Sequence, residues 1–252
     1  MQLNVRQKQE FRDNGFVCVP GVVPPLMVGA ALRAINHSVG QGMNVADMTR
    51  FRAQSYCPEI QNTPAIAGLL TKTPAWELAE SVIGAGRIKP PGGGQIALRF
   101  PSVDEPSPAR PHLDGMYSPT NGVKEGTIGN FTMLLGVLLS DVPAPLMGNL
   151  TVWPGTHRLY EDYFREHGPQ SLLKGMPPVK MPEPLAVTGK AGDVVLVHYQ
   201  LAHGVGSNVS PHTRYMVFFR LSHADHSELH WECMTDIWRE WEGMGGVDTE
   251  AV

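Results

Sequence analysis

Residues 192–204 read Gly-Asp-Val-Val-Leu-Val-His-Tyr-Gln-Leu-Ala-His-Gly, an apolar run opened by Gly-Asp and closed by His-Gly. Its β-branched valines predict a buried strand. Similar short runs follow residue 90, separated by Gly and Pro clusters: Gln95 to Phe100, Asn130 to Leu139, Leu150 to Trp153, Asp193 to His198 and Arg214 to Leu221. Short strands at this spacing predict a mainly β fold with flanking helices. The spacing leaves a two-sheet β-sandwich or a barrel open, and among these we expect the double-stranded β-helix, a cupin-like jelly-roll barrel.

The segments around these strands read differently. Residues 1–90 have helix starts and stops and one early strand, Phe16 to Val19, whereas residues 226–243 carry large apolar side chains at about helical spacing. We therefore predict one domain over residues 1–252. It has a helical amino-terminal part over about 1–90, a barrel over about 91–222 and a carboxy-terminal helix over about 226–243.

Composition excludes several classes of function. The chain of 252 residues has a net charge of -4 and a pI of about 6.2, so it lacks the basic surface that nucleic acids or anionic membranes require. Its first residues have no apolar core of a signal peptide, and no apolar run is long enough to span a membrane. We expect a cytoplasmic protein. The three cysteines form no CxxC pair and no disulfide framework.

The strongest local motif is Pro111-His112-Leu113-Asp114-Gly115. In an extended chain, the side chains at positions i and i+2 point to the same face, so His112 and Asp114 can reach one point. The pair alone is weak evidence for a metal site, because a loop histidine that is hydrogen-bonded to an aspartate for structural reasons is more common.

A second histidine far along the chain strengthens the motif. Two histidines and one carboxylate form the facial triad that is typical of non-haem iron(II) oxygenases. His198 and His203 are both candidates. His198 lies within an apolar run, where a core histidine is expected, whereas His203 precedes Gly204 and stands eleven positions before Arg214. We favour His203.

Arg214 begins an otherwise apolar strand. A guanidinium that faces a barrel interior needs an anionic partner, since an unpaired buried charge is costly. A carboxylate is its natural bidentate partner. The alternative is a structural ion pair with a carboxylate of the chain itself.

The sequence resembles the phytanoyl-CoA dioxygenase family of iron(II)/2-oxoglutarate oxygenases. The similarity covers nearly the full chain and includes the segments Glu10 to Val17, Pro111 to Gly115, Gly148 to His157, Ala191 to Asp193 and His203 to Arg214. The segment that ends at His157 is similar to a strand and turn of the family, and we expect His157 to fix that turn.

The resemblance implies roles for individual residues. His112, Asp114 and His203 would bind Fe(II), and Arg214 would bind the distal carboxylate of the co-substrate 2-oxoglutarate. Gln95 would contact 2-oxoglutarate, and Thr151 is expected to line the same pocket. Relatives often have a serine where this chain has Val205, so that hydroxyl contact is either missing or supplied by Thr151 or Ser207.

The reaction that the resemblance implies consumes O2 and 2-oxoglutarate, releases succinate and CO2, and by default hydroxylates a small soluble metabolite. The metabolite is expected to be anionic, with Arg99, Arg110 and Arg158 near the barrel mouth as candidates to orient it. Asp114 would fill the position that related halogenases leave free for chloride. Two alternatives stay open: a cupin-type metal enzyme that does not use 2-oxoglutarate, and a non-catalytic barrel that binds a small molecule.

Overall fold

The computed structural model describes residues 1–245, and the predicted domain's last residues, 246–252, lie outside them. Within the described residues, nine strands form two antiparallel sheets. The strands are β1 (Phe16–Val19), β2 (Ile88–Lys89), β3 (Gln95–Arg99), β4 (Met133–Leu138), β5 (Leu150–Val152), β6 (Leu185–Ala186), β7 (Val194–His198), β8 (His203–Val205) and β9 (Arg214–His223). The helices are α1 (Val5–Asn14), α2 (Pro25–Gly40), α3 (Met48–Ala53), α4 (Pro64–Thr71), α5 (Ala75–Ile83), α6 (Thr156–His167) and α7 (His226–Leu229).

The larger sheet has the strand order β1-β7-β4-β9-β2, and β3 pairs with β9 as well. The smaller sheet has the order β6-β5-β8. Strands β4 and β7 are buried along their whole length, because one face packs on the amino-terminal helices and the other faces the barrel interior. The two curled sheets and their flanking helices confirm the jelly-roll prediction.

Two buried clusters correspond to the two faces of the larger sheet. The outer cluster joins the sheet to helices α2, α4 and α5 through side chains such as Ile35, Leu69 and Leu78. The inner cluster fills the barrel and includes Leu134, Val152 and Phe218. Successive side chains of β9 point to opposite faces of the sheet, so Phe219 packs in the outer cluster and Phe218 in the inner one.

The predicted boundary near residue 90 does not divide the fold. Strand β1 lies within the predicted helical part, but it pairs with β7 and forms the edge of the larger sheet. Strand β2 is added to β9 in the same way. The amino-terminal part is therefore built into the barrel wall.

The predicted continuous helix over 226–243 is wrong. The segment contains only the short helix α7 and two 3-10 turns, Glu232–Met234 and Glu242–Met244. Met234 packs in the inner cluster whereas Trp241 packs in the outer one, so the buried side chains cannot share one helical face. Tertiary packing outweighs the helical spacing of the sequence.

A buried hydrogen-bonded group fastens this carboxy-terminal segment to the sheet. His226 Nδ1 lies 2.8 Å from Glu240 Oε2, and the Thr132 hydroxyl donates to the same oxygen at 2.6 Å. Burial raises the pKa of Glu240, but the bonds from His226 and Thr132 outweigh it and leave that pKa below its usual value. Glu240 is thus held ionised by its partners.

None of the helices within residues 1–245 combines the length and the apolar character that a crossing of the membrane requires.

Candidate metal centre

The HxD motif and the distal histidine meet at one end of the barrel. His112 and His203 form a β-bridge, with the amide of His112 donating to the carbonyl of His203 at 2.9 Å and the reverse bond at 3.1 Å. This bridge extends the pairing of β8 beyond the smaller sheet. It places two histidines that are 91 positions apart in the sequence directly opposite each other.

The three predicted ligands converge through specific atoms. Asp114 Oδ1 lies 3.5 Å from His112 Nε2 and 3.7 Å from His203 Nε2. One nitrogen or oxygen atom of each residue lies within 4.8 Å of the other two. The side chain of His203 is 8% exposed and that of Asp114 13%, whereas His112 is 49% exposed, so the cluster opens on the His112 side.

Hydrogen bonding fixes the tautomer of His203. Its Nδ1 lies 3.0 Å from the carbonyl oxygen of Leu201, which can only accept, so Nδ1 carries the proton. The lone pair is therefore on Nε2, the atom that faces Asp114. Two imidazole nitrogens and one carboxylate oxygen are the donor set of a non-haem iron site, and the geometry of these three residues fits such an ion.

His198 is the core histidine that the sequence analysis describes. It is buried, its Nε2 bonds the carbonyl of Ile237 at 3.0 Å, and its ring stacks on Trp241 at 5.1 Å between centroids. It does not belong to the cluster of His112, Asp114 and His203.

Arg220 is a site residue that the sequence analysis did not single out. Its Nε and Nη2 donate to Asp114 Oδ2 at 3.0 and 2.8 Å, and its Nη1 donates to Gln95 Oε1 at 2.7 Å. The guanidinium thus occupies one carboxylate oxygen and leaves Oδ1 for the two histidines. The signal in the sequence is the even spacing from Arg214, which places both arginines on one face of β9.

These contacts set the ionisation of the cluster. Burial raises the pKa of Asp114, but the Arg220 charge and the bonds with His112 and His203 outweigh it and hold that pKa well below its usual range. Burial lowers the pKa of His203, yet Asp114 reverses this effect and the pKa is raised. The carboxylate is therefore ionised at neutral pH.

A cavity of about 920 Å³ surrounds the cluster. Gln95 and Arg214 line it, as the sequence analysis predicts. Arg214 is 2% exposed, and its Nε and Nη1 donate to the carbonyls of Gly148 and Ala97 at 2.7 and 2.9 Å. Burial and the neighbouring Arg99 lower the pKa of Arg214 to about 9, so it stays cationic at neutral pH.

Three residues lie in positions that differ from those expected. Thr151 lies outside the cavity lining, because Leu150 faces the cavity and side chains alternate along β5. Arg158 also lies elsewhere: it donates to Asp13 at 2.9 Å and joins α6 to α1. Arg99 and Arg110 do line the cavity. His157 is not a turn residue but lies in the first turn of α6.

The fold and this cluster define a cupin-like jelly-roll protein with a two-histidine, one-carboxylate constellation at the barrel end. The family model for phytanoyl-CoA dioxygenase (PhyH) matches residues 11–216, and the chain belongs to this family.

Solved structures share the fold at low identity. HygX from Streptomyces hygroscopicus, with nickel and 2-oxoglutarate bound, is 20% identical with a TM-score of 0.57, and the match covers 87% of each chain. The non-heme alpha ketoglutarate dependent epimerase SnoN from nogalamycin biosynthesis is 22% identical with a TM-score of 0.54, covering 86% of this chain and 82% of its own. The carbocyclase SnoK from the same biosynthesis is 21% identical with a TM-score of 0.52, covering 87% and 83%. The search of curated proteins gave no match.

Proposed function

We propose that this protein is an iron(II)- and 2-oxoglutarate-dependent oxygenase that hydroxylates a small metabolite. The observation that carries the proposal is the convergence of His112, Asp114 and His203 on one point, with the lone pair of His203 Nε2 directed at that point. Membership of the PhyH family and the nickel and 2-oxoglutarate bound in HygX support it.

Each ligand has a distinct part in holding the ion. His203 presents Nε2 from the buried side, and His112 presents Nε2 from the open side. Asp114 offers Oδ1, since Arg220 already binds Oδ2. With iron(II) and 2-oxoglutarate bound, the centre supplies dioxygen activation coupled to decarboxylation of 2-oxoglutarate to succinate and CO2.

Arg214 is the proposed anchor for the far carboxylate of 2-oxoglutarate. Its bonds to Gly148 and Ala97 fix the guanidinium plane, and Nη2 has no hydrogen bond to any acceptor within residues 1–245. A fixed, buried cation on the same strand face as Arg220 suits a short dicarboxylate that reaches from the metal to Arg214. Gln95 lies beside this path, bonded to Arg220.

A second reaction class has its own support. SnoN is an epimerase and SnoK a carbocyclase, so this fold with the same co-substrate also serves reactions other than hydroxylation. The cupin-type enzyme without 2-oxoglutarate and the non-catalytic barrel are the remaining alternatives, and Arg214 argues against the first of them.

Anaerobic binding followed by turnover tests the proposal. The protein is loaded with iron(II) and titrated with 2-oxoglutarate while the charge-transfer absorption of the chelate is recorded. Succinate release is then measured in air with ascorbate and a panel of metabolites. We expect saturable absorption and metabolite-stimulated succinate.

The matched variants are His203→Ala and His37→Ala. His37 is exposed on α2, far from the cavity lining, so its loss should leave both signals unchanged. His203→Ala should abolish the absorption band and turnover. Turnover that persists in His203→Ala would refute the ligand assignment, and turnover without 2-oxoglutarate would favour the cupin-type alternative.

Arg214→Met is the test of the co-substrate assignment. A bond between charged groups contributes about 1.5 to 3 kcal/mol, so the apparent affinity for 2-oxoglutarate should fall by roughly one to two orders of magnitude. Iron(II) binding in the absence of 2-oxoglutarate, measured by competition with a chelator, should be unchanged. An unaltered 2-oxoglutarate affinity in the folded variant would overturn the role of Arg214.

A further inference from the structure

Positively charged side chains outnumber negatively charged ones in the lining of the cavity around the candidate metal centre. Its lining contains five arginines, Arg52, Arg99, Arg110, Arg214 and Arg220, but only two carboxylates, Asp104 and Asp114. Asp114 is already paired with Arg220, and Asp104 accepts a bond from the Ser102 hydroxyl at 3.1 Å. Within residues 1–245, no carboxylate forms an ion pair with any of the other four arginines.

Several arginines outside the cavity do have carboxylate partners. Arg87 lies 2.6 Å from Asp225, Arg158 lies 2.9 Å from Asp13, and Arg165 pairs with Glu161. Within residues 1–245, the guanidinium groups of Arg52, Arg99, Arg110 and Arg214 have no carboxylate partner of this kind, so these four cations of the cavity are available to a ligand.

Arg99 is the most informative of the unpaired cations. It lies on β3 directly opposite Arg214 on β9, and residues directly opposite each other in an antiparallel pair share one face of the sheet. Two like charges in this position destabilise the pair unless an anion lies between or beside them. Arg99 is half-buried, and this burial together with the nearby Arg52 lowers the pKa of its guanidinium.

The proposed co-substrate does not balance these charges. The two negative charges of 2-oxoglutarate offset the two positive charges of iron(II), and Arg214 is already assigned to the distal carboxylate. Among the carboxylates that line the cavity, Asp104 alone then remains for Arg52, Arg99 and Arg110. A half-buried guanidinium without an acceptor is costly, so a ligand that brings a further negative charge is favoured.

We propose that Arg99, together with Arg52 and Arg110, forms a subsite for an anionic group of the substrate, a carboxylate or a phosphate-like oxyanion. This inference rests on the proposed function and specifies its substrate class. Arg110 stands two positions before His112, so an anion held there lies beside the candidate metal ligands. Arg99 is half-buried and acts as the anchor, whereas Arg52 and Arg110 are exposed and contribute less.

The cavity has room for both ligands. At about 920 Å³ it is at the upper end of the range for small-molecule sites, which is roughly 300 to 1,000 Å³. A five-carbon dicarboxylate leaves most of that space to a second molecule. The expected substrate is therefore a small metabolite with at least one oxyanion group.

Inorganic phosphate is the probe for this subsite. Protein loaded anaerobically with iron(II) and saturating 2-oxoglutarate is titrated with phosphate by calorimetry, and its 2-oxoglutarate affinity is measured separately from the charge-transfer band. We expect phosphate to bind, and Arg99→Gln to weaken it by about tenfold, while 2-oxoglutarate affinity changes by less than about threefold. Arg52→Gln should give a smaller loss of phosphate affinity and serves as the second variant should Arg99→Gln fail to fold.

Arg158→Gln is the matched control, since Arg158 pairs with Asp13 outside the cavity, and it should change neither affinity. Absence of phosphate binding, or a phosphate affinity that is the same in Arg99→Gln, would overturn the subsite. A loss of 2-oxoglutarate affinity in Arg99→Gln would instead assign Arg99 to the co-substrate. Arg99-dependent phosphate binding in a protein that binds no 2-oxoglutarate would refute the proposed function but keep the subsite.

Discussion

Arg220 determines how Asp114 can be used. The guanidinium holds Oδ2 with two donors, so the carboxylate cannot rotate freely and only Oδ1 faces the histidines. Such a partner usually orients a ligand and lowers the cost of assembling the site. It also brings a positive charge near the position of a cation, which opposes binding. The ion pair with Asp114 cancels much of that repulsion, so orientation should dominate.

We predict that Arg220→Gln weakens iron(II) binding by about tenfold, because partners of metal ligands are typically worth 10- to 100-fold in affinity. Competition with a chelator under anaerobic conditions measures the effect, and the melting temperature checks the fold. Arg220→Lys keeps the charge but loses the two-donor contact, and we expect an intermediate affinity. Equal or tighter binding in Arg220→Gln would mean that charge repulsion outweighs orientation.

The sequence predicted the site residues unevenly. His112, Asp114, His203 and Arg214 could be placed because strand alternation and the spacing of the motifs limit where they point, and the resemblance placed Gln95 on the cavity wall. Arg220 could not be assigned a partner, since its contact with Asp114 depends on how two segments 106 positions apart pack together. Thr151 was misplaced because its role was carried over from the resemblance, whereas the alternation with Leu150 directs it away from the cavity.

At the scale of elements, α6 and the carboxy-terminal segment show where local patterns fall short. Pro154 and Gly155 indicate a turn, yet helix α6 begins at the next residue and buries Tyr160 and Phe164 in the inner cluster. That burial depends on contacts that a turn motif does not contain. The strands were easier to predict, since each is a β-rich run bounded by turn residues, and β4, β7 and β9 lie within three residues of their expected limits.

His157 links α6 to α1 and to the sheet. Its Nε2 bonds the carbonyl of Arg12 at 3.0 Å, so Nε2 carries the proton, and its ring lies 5.5 Å from that of His198. Gly15 permits this approach, because its φ is 78° and a Cβ there would lie 2.6 Å from His157 Nδ1. Burial lowers the pKa of His157 to about 3 and that of His198 to about 4.

These two histidines predict a loss of stability in mild acid. An unfolded histidine has a pKa of about 6.5, so below that pH the unfolded chain binds protons that the folded chain excludes. Their contribution to stability is complete above about pH 6.5 and is lost as the pH falls toward 4 for His198 and 3 for His157. For each histidine, the free energy of unfolding decreases by at most about 1.4 kcal/mol for every pH unit by which the solution is acidified.

Urea denaturation between about pH 6 and pH 4.5 measures this slope. His157→Gln should reduce it by about 1.4 kcal/mol per pH unit, whatever its effect on stability at neutral pH, because the titrating group is gone. The carboxylates contribute equally in both proteins and cancel in the comparison. His37→Gln should leave the slope unchanged, and an unchanged slope in His157→Gln would contradict the buried neutral state of His157.

At the scale of the whole molecule, the barrel, the candidate metal centre and the arginine-lined cavity are compatible with three reactions: hydroxylation, epimerisation and ring closure. All three consume 2-oxoglutarate and dioxygen, but only hydroxylation adds an oxygen atom to the product. As the proposed third protein ligand, Asp114 would fill the position that related halogenases leave free for chloride.

We predict that the product gains one oxygen atom from dioxygen and no chlorine. Epimerisation needs a hydrogen donor on the far side of the substrate, and none of Cys18, Cys57 and Cys233 lines the cavity. Two tyrosines do line it, and Tyr117 is the exposed one, three positions after Asp114. Once the screen yields a substrate, the product formed under isotopically labelled dioxygen, with chloride present, is analysed by chiral chromatography and mass spectrometry, which together separate the outcomes. If the protein is a hydroxylase, the product contains the labelled oxygen, and Tyr117→Phe still forms this product. A product with the mass of the substrate and an inverted configuration, which Tyr117→Phe no longer forms, would make the protein an epimerase that uses Tyr117 as its hydrogen donor.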